Sequence, residues 1–508
     1  MKTPRVVVIG AGMAGLTAAL DLARQGAAVT VLESAAAPGG KMRDVAVGSA
    51  RVDAGPTIFT MRWVFDKLFA DADTTLADHL TLHPAGILAR HAWSESEQLD
   101  LFADPARTED AIGTLAGAVE ARGYRAFRED SRHIYETLER TFIAAPRPSA
   151  PSLVRSIASQ GLGGLWNIRP FESMWTALSR HFRDPRLRQL FGRYATYCGS
   201  SPYLAPATLM LVAHVEQEGV WLVEGGMHRV AQALAALATA RGASFRYDAP
   251  VAEICVATGR IAGVRLQSGE RIDADAVVVN ADAAALAAGM FGRAVMQAVP
   301  PPSGQRSLSA VTWAMVAEAD GFPLVRHTVF FSRDYKAEFD AIARGSLPSE
   351  PTIYICAQDR TDLGAAMGSP ERLLCLINAP ATGDRHTLSQ TEITACADRV
   401  FTQLRRYGLH LRPMAAEATS PAGFNRLFPA TGGALYGQAT HGPMASFSRP
   451  GSETKIPGLY LAGGSVHPGP GVPMAALSGR LAAARLLADL ASTRPSRMVA
   501  TRGGTSMR

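Results

Sequence analysis

The sequence predicts an α/β protein whose parallel sheet is assembled from separated stretches of chain, and three observations carry that prediction. An apolar strand, Val6 to Ile9, runs directly into the glycine turn Gly10-Ala11-Gly12-Met13-Ala14-Gly15. A second strand, Ala28 to Leu32, ends on Glu33, after 17 residues have intervened since Gly15. Near the other end, Gly458 to Ser465 is again a strand entering a glycine pair, Gly463-Gly464.

Each residue of the first turn has a physical reason. Gly10 permits the tight turn, Gly12 leaves no side chain in the way of a pyrophosphate, and Gly15 lets the following helix pack close to the sheet. The helix, expected from Met13 to Gln25 with Gly26 as its stop, points free N–H groups and a partial positive charge at the phosphates. Glu33 then supplies the acceptor that two ribose hydroxyls need. Together these form a Rossmann-like dinucleotide fingerprint, and the acidic Glu33 favours FAD or NAD over a 2′-phosphorylated nucleotide.

Beyond Glu33, Pro38-Gly39-Gly40-Lys41 and Asp53-Ala54-Gly55-Pro56-Thr57 suit an extended backbone lying along a large cofactor. From Trp63 to Glu224 the pattern is mostly helical, including Thr108 to Arg122 and Phe171 to Tyr197, until Gly225-Gly226 ends the insertion. A helix from Met227 to Arg241, a strand Val251 to Val256, a hairpin through Gly259 and Gly269, and the buried strand Ala276 to Val279 mark a return to the first domain. Strand-like Val329 to Phe331 and Thr352 to Cys356, with a helix Gln390 to Tyr407, belong to a second domain. A final helix from Pro473 to Leu490 begins with a first-turn proline.

The bulk properties narrow the class. A chain of 508 residues with 47% hydrophobic content can bury a large core over two domains. Five cysteines without CxxC spacing point to reduced thiols in a cytosolic setting and to no metal site. The apolar run after Lys2 and Arg5 carries the glycine fingerprint, so it is a strand of the mature protein and not a secretion signal. No apolar stretch is long enough to span a bilayer, which implies a soluble or peripheral protein. Net charge is +6, concentrated at eight arginines between Arg147 and Arg193 and in the tail after Ala491. No nucleic-acid recognition motif accompanies that charge, so no nucleic acid is expected as a partner.

The motifs VVVIGAGMAGL with Glu33, PGGK, DAGPT, Gly219-Val220-Trp221 leading to Glu224-Gly225-Gly226-Met227, and LYLAGGSVHPGPGVPMAALSG resemble the bacterial carotenoid desaturases of the phytoene desaturase type. Phe424 and Pro429 through Gly437, with Ala462-Gly463-Gly464, look most like the branch of hydroxyneurosporene desaturases and methoxyneurosporene dehydrogenases. The resemblance reaches to about Leu490. It implies a discontinuous FAD-binding domain of glutathione-reductase type from 1–62, 225–284 and 451–490. It also implies a helical, membrane-facing cap with part of the substrate domain at 63–224, and a mixed-sheet substrate domain at 285–450. A disordered basic tail is expected at 491–508. FAD would be non-covalent, since no cysteine follows Cys396 to form a thioether near the C-terminal motif. The implied cofactor contacts are Gly10, Gly12, Met13, Ala14, Gly15, Glu33, Gly40, Lys41, Pro56, Thr57, Val251, Gly463, Gly464, Val472, Pro473 and Met474.

The implied reaction removes a hydride and a proton from neighbouring carbons of a hydroxylated acyclic carotenoid, a 1-hydroxycarotenoid 3,4-desaturation, with a quinone or oxygen as final electron acceptor. FAD is the natural hydride acceptor. His467 is the first candidate for shaping the site or moving a proton, and Glu224 and His228 flank the Gly225-Gly226 turn. Phe171, Trp175, Leu178 and Phe182, spaced by four, three and four, form one helical face with Arg180, Arg183 and Arg186 beside it. That stripe suits a peripheral membrane contact of a cytoplasmic protein. Three alternatives remain at this stage: a phytoene desaturase acting on a non-hydroxylated precursor, an FAD-dependent amine oxidase, and a non-enzymatic lipid-binding protein of the GDP-dissociation-inhibitor type.

Overall fold

The computed structural model describes residues 3–149, 151–153, 155, 169, 171–302, 304–360 and 370–492. Strand β1 (Arg5–Ile9) leads through the glycine turn into helix α1 (Met13–Arg24), and β2 (Ala28–Leu32) lies parallel to β1. Three distant strands complete this sheet: β3 (Ser244–Arg246), β4 (Ala276–Val279) and β5 (Leu459–Leu461). Their order is β5-β4-β1-β2-β3, and every adjacent pair is parallel. The four residues of β4 are all buried, as expected of a parallel strand covered on both faces.

One face of the sheet is covered by α1, α2 (His228–Ala240) and α3 (Val472–Ser492). A Cβ on Gly479 would overlap Ala14 O and Thr17 Oγ1, so α3 crosses α1 at backbone distance. Thr17 Oγ1 donates to Ala476 O at 3.0 Å in the same crossing. Farther along, Arg480 pairs with Asp21 at 3.0 Å and with Asp71. The opposite face carries a three-stranded antiparallel sheet of Val251–Ala257, Arg260–Leu266 and Arg271–Asp273.

A seven-stranded mixed sheet forms the second layer system. Its order is Leu409–Thr419, Ser309–Gly321, Glu371–Ala379, Ile353–Ala357, His327–Phe330, Ile87–Ala92 and Gln98–Phe102. Only the pairing of His327–Phe330 with Ile87–Ala92 is parallel. The helical insertion packs against it through aromatic side chains such as Phe127, Phe182 and Phe191.

Three expectations for the insertion need correction. The helix expected over Thr108 to Arg122 is two, Pro105–Ala116 and Ala118–Leu138, because Gly117 takes φ +92° between them. The stretch Phe171 to Tyr197 is also divided, into Met174–His181, Pro185–Gly192 and a 3₁₀ turn at Arg193–Cys198. Phe182 is extended, and Asp184 accepts from Arg186 N to start the second piece with Pro185 in its first turn. The apolar stripe is therefore not a membrane face: Leu178 and Phe182 are fully buried, and Trp175 packs on Tyr203. Its arginines are largely engaged, with Arg180 on Glu172 and Arg186 on Asp184 and Glu97. The basic tail expected at 491–508 lies outside the described residues beyond Ser492.

The α1–α3 crossing gives the first prediction. Gly479→Ala forces backbone apart at a site with no room, and overpacking of this kind costs about 1–3 kcal/mol. Denaturant unfolding should show a loss of that size, whereas Ala475→Ser, at a half-buried position of the same helix, should change stability by less than about 0.5 kcal/mol.

Candidate functional site

The carboxyl ends of β1, β4 and β5 meet at one crevice, where ligands of open α/β sheets bind. Gly10 takes φ +96°, and a Cβ there would stand 2.9 Å from Asn280 O. A Cβ on Gly12 would stand 2.8 Å from Asn280 Oδ1, and one on Gly15 would overlap Gly10 O. Gly12 begins α1 without a side-chain cap. Gly15 N donates to Asn280 Oδ1 at 3.0 Å and Leu16 N to Gly12 O at 2.9 Å. Among the described residues the buried amide of Ala14 has no acceptor, and that of Met13 faces Gly39 O across the Gly12–Gly39 bridge. A free donor at a helix N-terminus, under a floor that no side chain obstructs, fits a pyrophosphate.

Glu33 stands at the end of β2 and is buried. Its Oε2 accepts from Ala11 N at 2.6 Å, and its Oε1 accepts from Ala35 N at 2.8 Å and Ser34 Oγ at 3.1 Å. A carboxylate has about four acceptor positions, so room for a hydroxyl donor remains. Val251 follows the turn in which Asp248 N donates to Ala35 O and Ala249 N to Glu33 O. It therefore sits beside the Glu33 end of the crevice.

The Pro38–Lys41 loop closes over the same turn. Gly39 bridges Gly12, and a Cβ on Gly40 would lie 3.1 Å from Gly12 Cα. Gly55 passes so close that its Cβ would overlap Lys41 O, which fixes Pro56 and Thr57 beside this loop. Asp53 holds α2: its carboxylate accepts from Met227 N at 2.7 Å and His228 N at 3.3 Å, and burial raises its pKa. His228 is buried with Nε2 against Pro38 O at 2.8 Å, while Glu224 is exposed and reaches only His83.

The second glycine turn faces the first. Gly463 N donates to Ser478 Oγ at 3.1 Å and Ala283 N to Ser465 Oγ at 3.2 Å. Asn280 Nδ2 donates to Ala462 O at 3.0 Å, so one side chain touches both turns. Gly464 O accepts from Arg449, and buried Arg449 also donates to Tyr436 O and Gln438 O at 3.0 and 2.6 Å. Burial lowers its pKa. Val472, Pro473 and Met474 form the first turn of α3, with Ala475 N bonded to Gly471 O at 2.8 Å.

Between the two domains, Lys41 Nζ donates to Leu435 O at 2.5 Å and lies over the Phe428 ring. Burial lowers the Lys41 pKa. Tyr436 N donates to Ser307 Oγ at 3.0 Å, and Gly437 approaches Ser465 so closely that a Cβ would stand 2.7 Å from the serine Cβ. The segment Leu435–Gly437 thus forms a wall running from Lys41 to the second glycine turn. On the opposite side Thr57 Oγ1 meets Tyr354 OH at 2.6 Å, and that hydroxyl meets His327 Nδ1 at 2.8 Å.

His467 is buried beside the second turn with its ring edge-on to Phe142. Its Nε2 bonds Ala145 O at 3.0 Å, and its buried Nδ1 has no well-formed hydrogen bond among the described residues. Burial lowers its pKa. The histidine is thereby committed to fastening the loop to the 142–145 turn.

Comparisons with known proteins fit this geometry. The family model described as flavin containing amine oxidoreductase matches residues 13–487. The chain belongs to that family. It is 56% identical to the hydroxyneurosporene desaturase of Rubrivivax gelatinosus, over 100% of this chain and 98% of the relative. It is 30% identical to the 1-hydroxycarotenoid 3,4-desaturase of a Flavobacterium species, over 94% of this chain and 98% of the relative. Among solved structures, a putrescine oxidase variant superposes with a TM-score of 0.61 at 13% identity, over 97% of this chain and 99% of that one, which shows the shared fold. The protein is a flavin-dependent oxidoreductase of the carotenoid desaturase type, and its cofactor is FAD.

Asn280, Arg449, Tyr436 and Tyr354 were not among the residues the sequence singled out as cofactor contacts. Asn280 had a readable signal, a polar residue ending a fully apolar parallel strand at the ligand-binding edge. The other three reach the crevice only through the tertiary fold.

Two predictions follow from these contacts. Asn280→Ala leaves Gly15 N and Ala462 O short of a partner, a cost of about 1–3 kcal/mol for each buried group. Thermal unfolding should drop and flavin should wash out on dialysis, with Asn280→Asp restoring the Gly15 bond alone. The second concerns pH. Burial holds His91 and His327 at about 3 and lowers His467, from an ordinary 6.5. Below pH 6.5 the unfolded chain therefore binds more protons, and stability falls with pH at up to about 1.4 kcal/mol per unit per histidine. Raised Asp53 and Glu216 act in the opposite sense as they take up protons in the folded state. Urea midpoints should decline from pH 7 to 5.5, less steeply in His327→Gln; equal slopes would show that His327 protonates in place.

Proposed function

We propose that the protein removes hydrogen across the C3–C4 bond of a 1-hydroxylated acyclic carotenoid in carotenoid biosynthesis. The observation that carries this reading is the full-length likeness to hydroxyneurosporene desaturase. FAD, when bound, supplies the two-electron acceptor for the hydride.

The chain's own residues bind and orient. Gly10, Gly12, Met13, Ala14 and Gly15 take the pyrophosphate, with Glu33 on the ribose and Val251 at the adenine side. Gly40, Lys41, Pro56 and Thr57 line the middle of the cofactor. Gly463, Gly464, Val472, Pro473 and Met474 take the ring end, where the N-terminus of α3 favours negative charge. His467 holds the loop in place. The cofactor is held without a covalent bond, and a quinone or oxygen serves as acceptor.

Delivery of so apolar a substrate calls for peripheral contact with a membrane. Among the described residues no helix is long and apolar enough to cross one. Phe171 is 85% exposed, Leu204 50% and Met444 54%. Their loops are neighbours: Glu172 O accepts from Ala207 N, and Leu204 O from Gly442 N. This apolar rim, with Arg147 bonded to Phe447 O beside it, keeps Phe171 of the expected stripe and replaces its buried residues as the proposed membrane edge. The five free thiols fit a cytoplasmic, reducing setting.

The test is expression in cells that accumulate defined carotenoid precursors, read by pigment absorption. A red shift in cells holding hydroxylated acyclic precursors is the expected result. Conversion of colourless phytoene, with hydroxylated precursors left unchanged, would overturn the substrate assignment.

A further inference from the structure

Arg193 is a sparsely satisfied cation of the protein interior. It begins the 3₁₀ turn after Pro185–Gly192 and is enclosed by protein, yet it keeps accessible surface, so its guanidinium faces an internal space. Among the described residues no carboxylate lies within ion-pair distance of it, and the buried carboxylate that feels its charge, Glu216, is bonded to Tyr194. Its one side-chain hydrogen bond is Nη1 to Tyr197 OH at 3.0 Å, and its charged group lies 5.2 Å from the Tyr197 ring centroid and 5.4 Å from that of Tyr354. A guanidinium carries five N–H donors. Nε and Nη2 thus point into the space without an acceptor, while the aromatic faces make the cation tolerable there.

Its aromatic neighbours reach the crevice on both sides. Tyr354 OH is bonded to Thr57, next to the Lys41 loop. The charge of Arg193 also reaches Tyr436, whose ring packs on Gly199 and whose neighbour Gly437 abuts Ser465 of the second glycine turn. Arg193 therefore stands between the two walls that flank the ring end of the cofactor crevice.

We propose that Arg193, oriented by Tyr197, binds the hydroxyl oxygen on C1 of the substrate and so selects hydroxylated over plain carotenoids. This inference rests on the reaction proposed above. In a 1-hydroxycarotenoid the oxygen-bearing carbon is two bonds from C3 and three from C4. A group that recognises the oxygen must consequently stand beside the reacting carbons and not at a distant tunnel end. An alcohol buried in an apolar cavity needs a partner, and a free guanidinium supplies two donors. A chain lacking the hydroxyl leaves those donors empty, and sites built around a substrate hydroxyl discriminate strongly against analogues without it.

The test uses flavin-loaded protein and three variants, Arg193→Met, Arg193→Lys and Tyr197→Phe. Flavin reduction is followed anaerobically in detergent micelles with a 1-hydroxycarotenoid and with the same polyene lacking oxygen. For Arg193→Met we expect a KM for the hydroxylated substrate raised at least tenfold, a collapse of its preference over the plain polyene, and an unchanged flavin spectrum. Arg193→Lys should recover part of the preference and Tyr197→Phe should lose part. Wild-type preference retained in Arg193→Met would overturn the inference. So would an equal loss for both substrates, or a loss only in reoxidation by quinone. If the wild type reduces its flavin with neither substrate, the reaction itself is misassigned and the inference falls with it.

Discussion

Asn280 reaches both glycine turns at once, its Oδ1 accepting from Gly15 N and its Nδ2 donating to Ala462 O, so the two ends of the chain are tied through one amide. The tie works only because glycines let the backbones come close. Gly10 and Gly12 admit Asn280 itself, and Gly479 admits α1 against α3. Any Cβ at these positions would push one turn away from the other. The crevice is thus set by backbone approach, and its electrostatics follow: two helix N-termini, those of α1 and α3, converge on it from opposite ends of the sequence.

Around that joint the protein buries three cations, and their partners sort their roles. Arg449 spends its donors on the carbonyls of Tyr436, Gln438 and Gly464, and Lys41 places one of its three on Leu435 O. Burying charge in this way is costly unless hydrogen bonds compensate. What the two gain is position: together they clamp the 435–438 segment between the first loop and the second turn. Arg193 differs, because its donors remain open to the interior.

The first sheet was legible because its signals are local. Strand β2 and strand β4 have the expected limits, and α1 begins at Met13 as expected, since a glycine turn and a run of apolar β-branched residues act within a few residues. The insertion was less legible for a physical reason. A spacing of four, three and four establishes a common face for Phe171, Trp175, Leu178 and Phe182, and says nothing of what that face meets. The break at Phe182 did have a signature, Asp184-Pro185, which is a cap followed by a first-turn proline. His467 shows the same limit, since only the fold brings Ala145 O to its Nε2.

The arginines between 147 and 193 make the point in charge. As a linear run they look like one basic surface, suited to an anionic partner. In space the run disperses: Arg169 meets Asp130, Arg180 meets Glu172, Arg186 meets Asp184 and Glu97, and Arg188 lies over Trp175. These half-buried pairs fix local orientation and leave no continuous basic face. Arg193 turns inward at the point where the chain tightens from α-helix into a 3₁₀ turn. That tightening places Tyr194 toward Glu216 at 2.8 Å and leaves Arg193 with Tyr197, four residues on, as its sole hydrogen-bond partner. The same local change of helical pitch that ends the surface run therefore delivers a cation to the interior face beside the cofactor crevice.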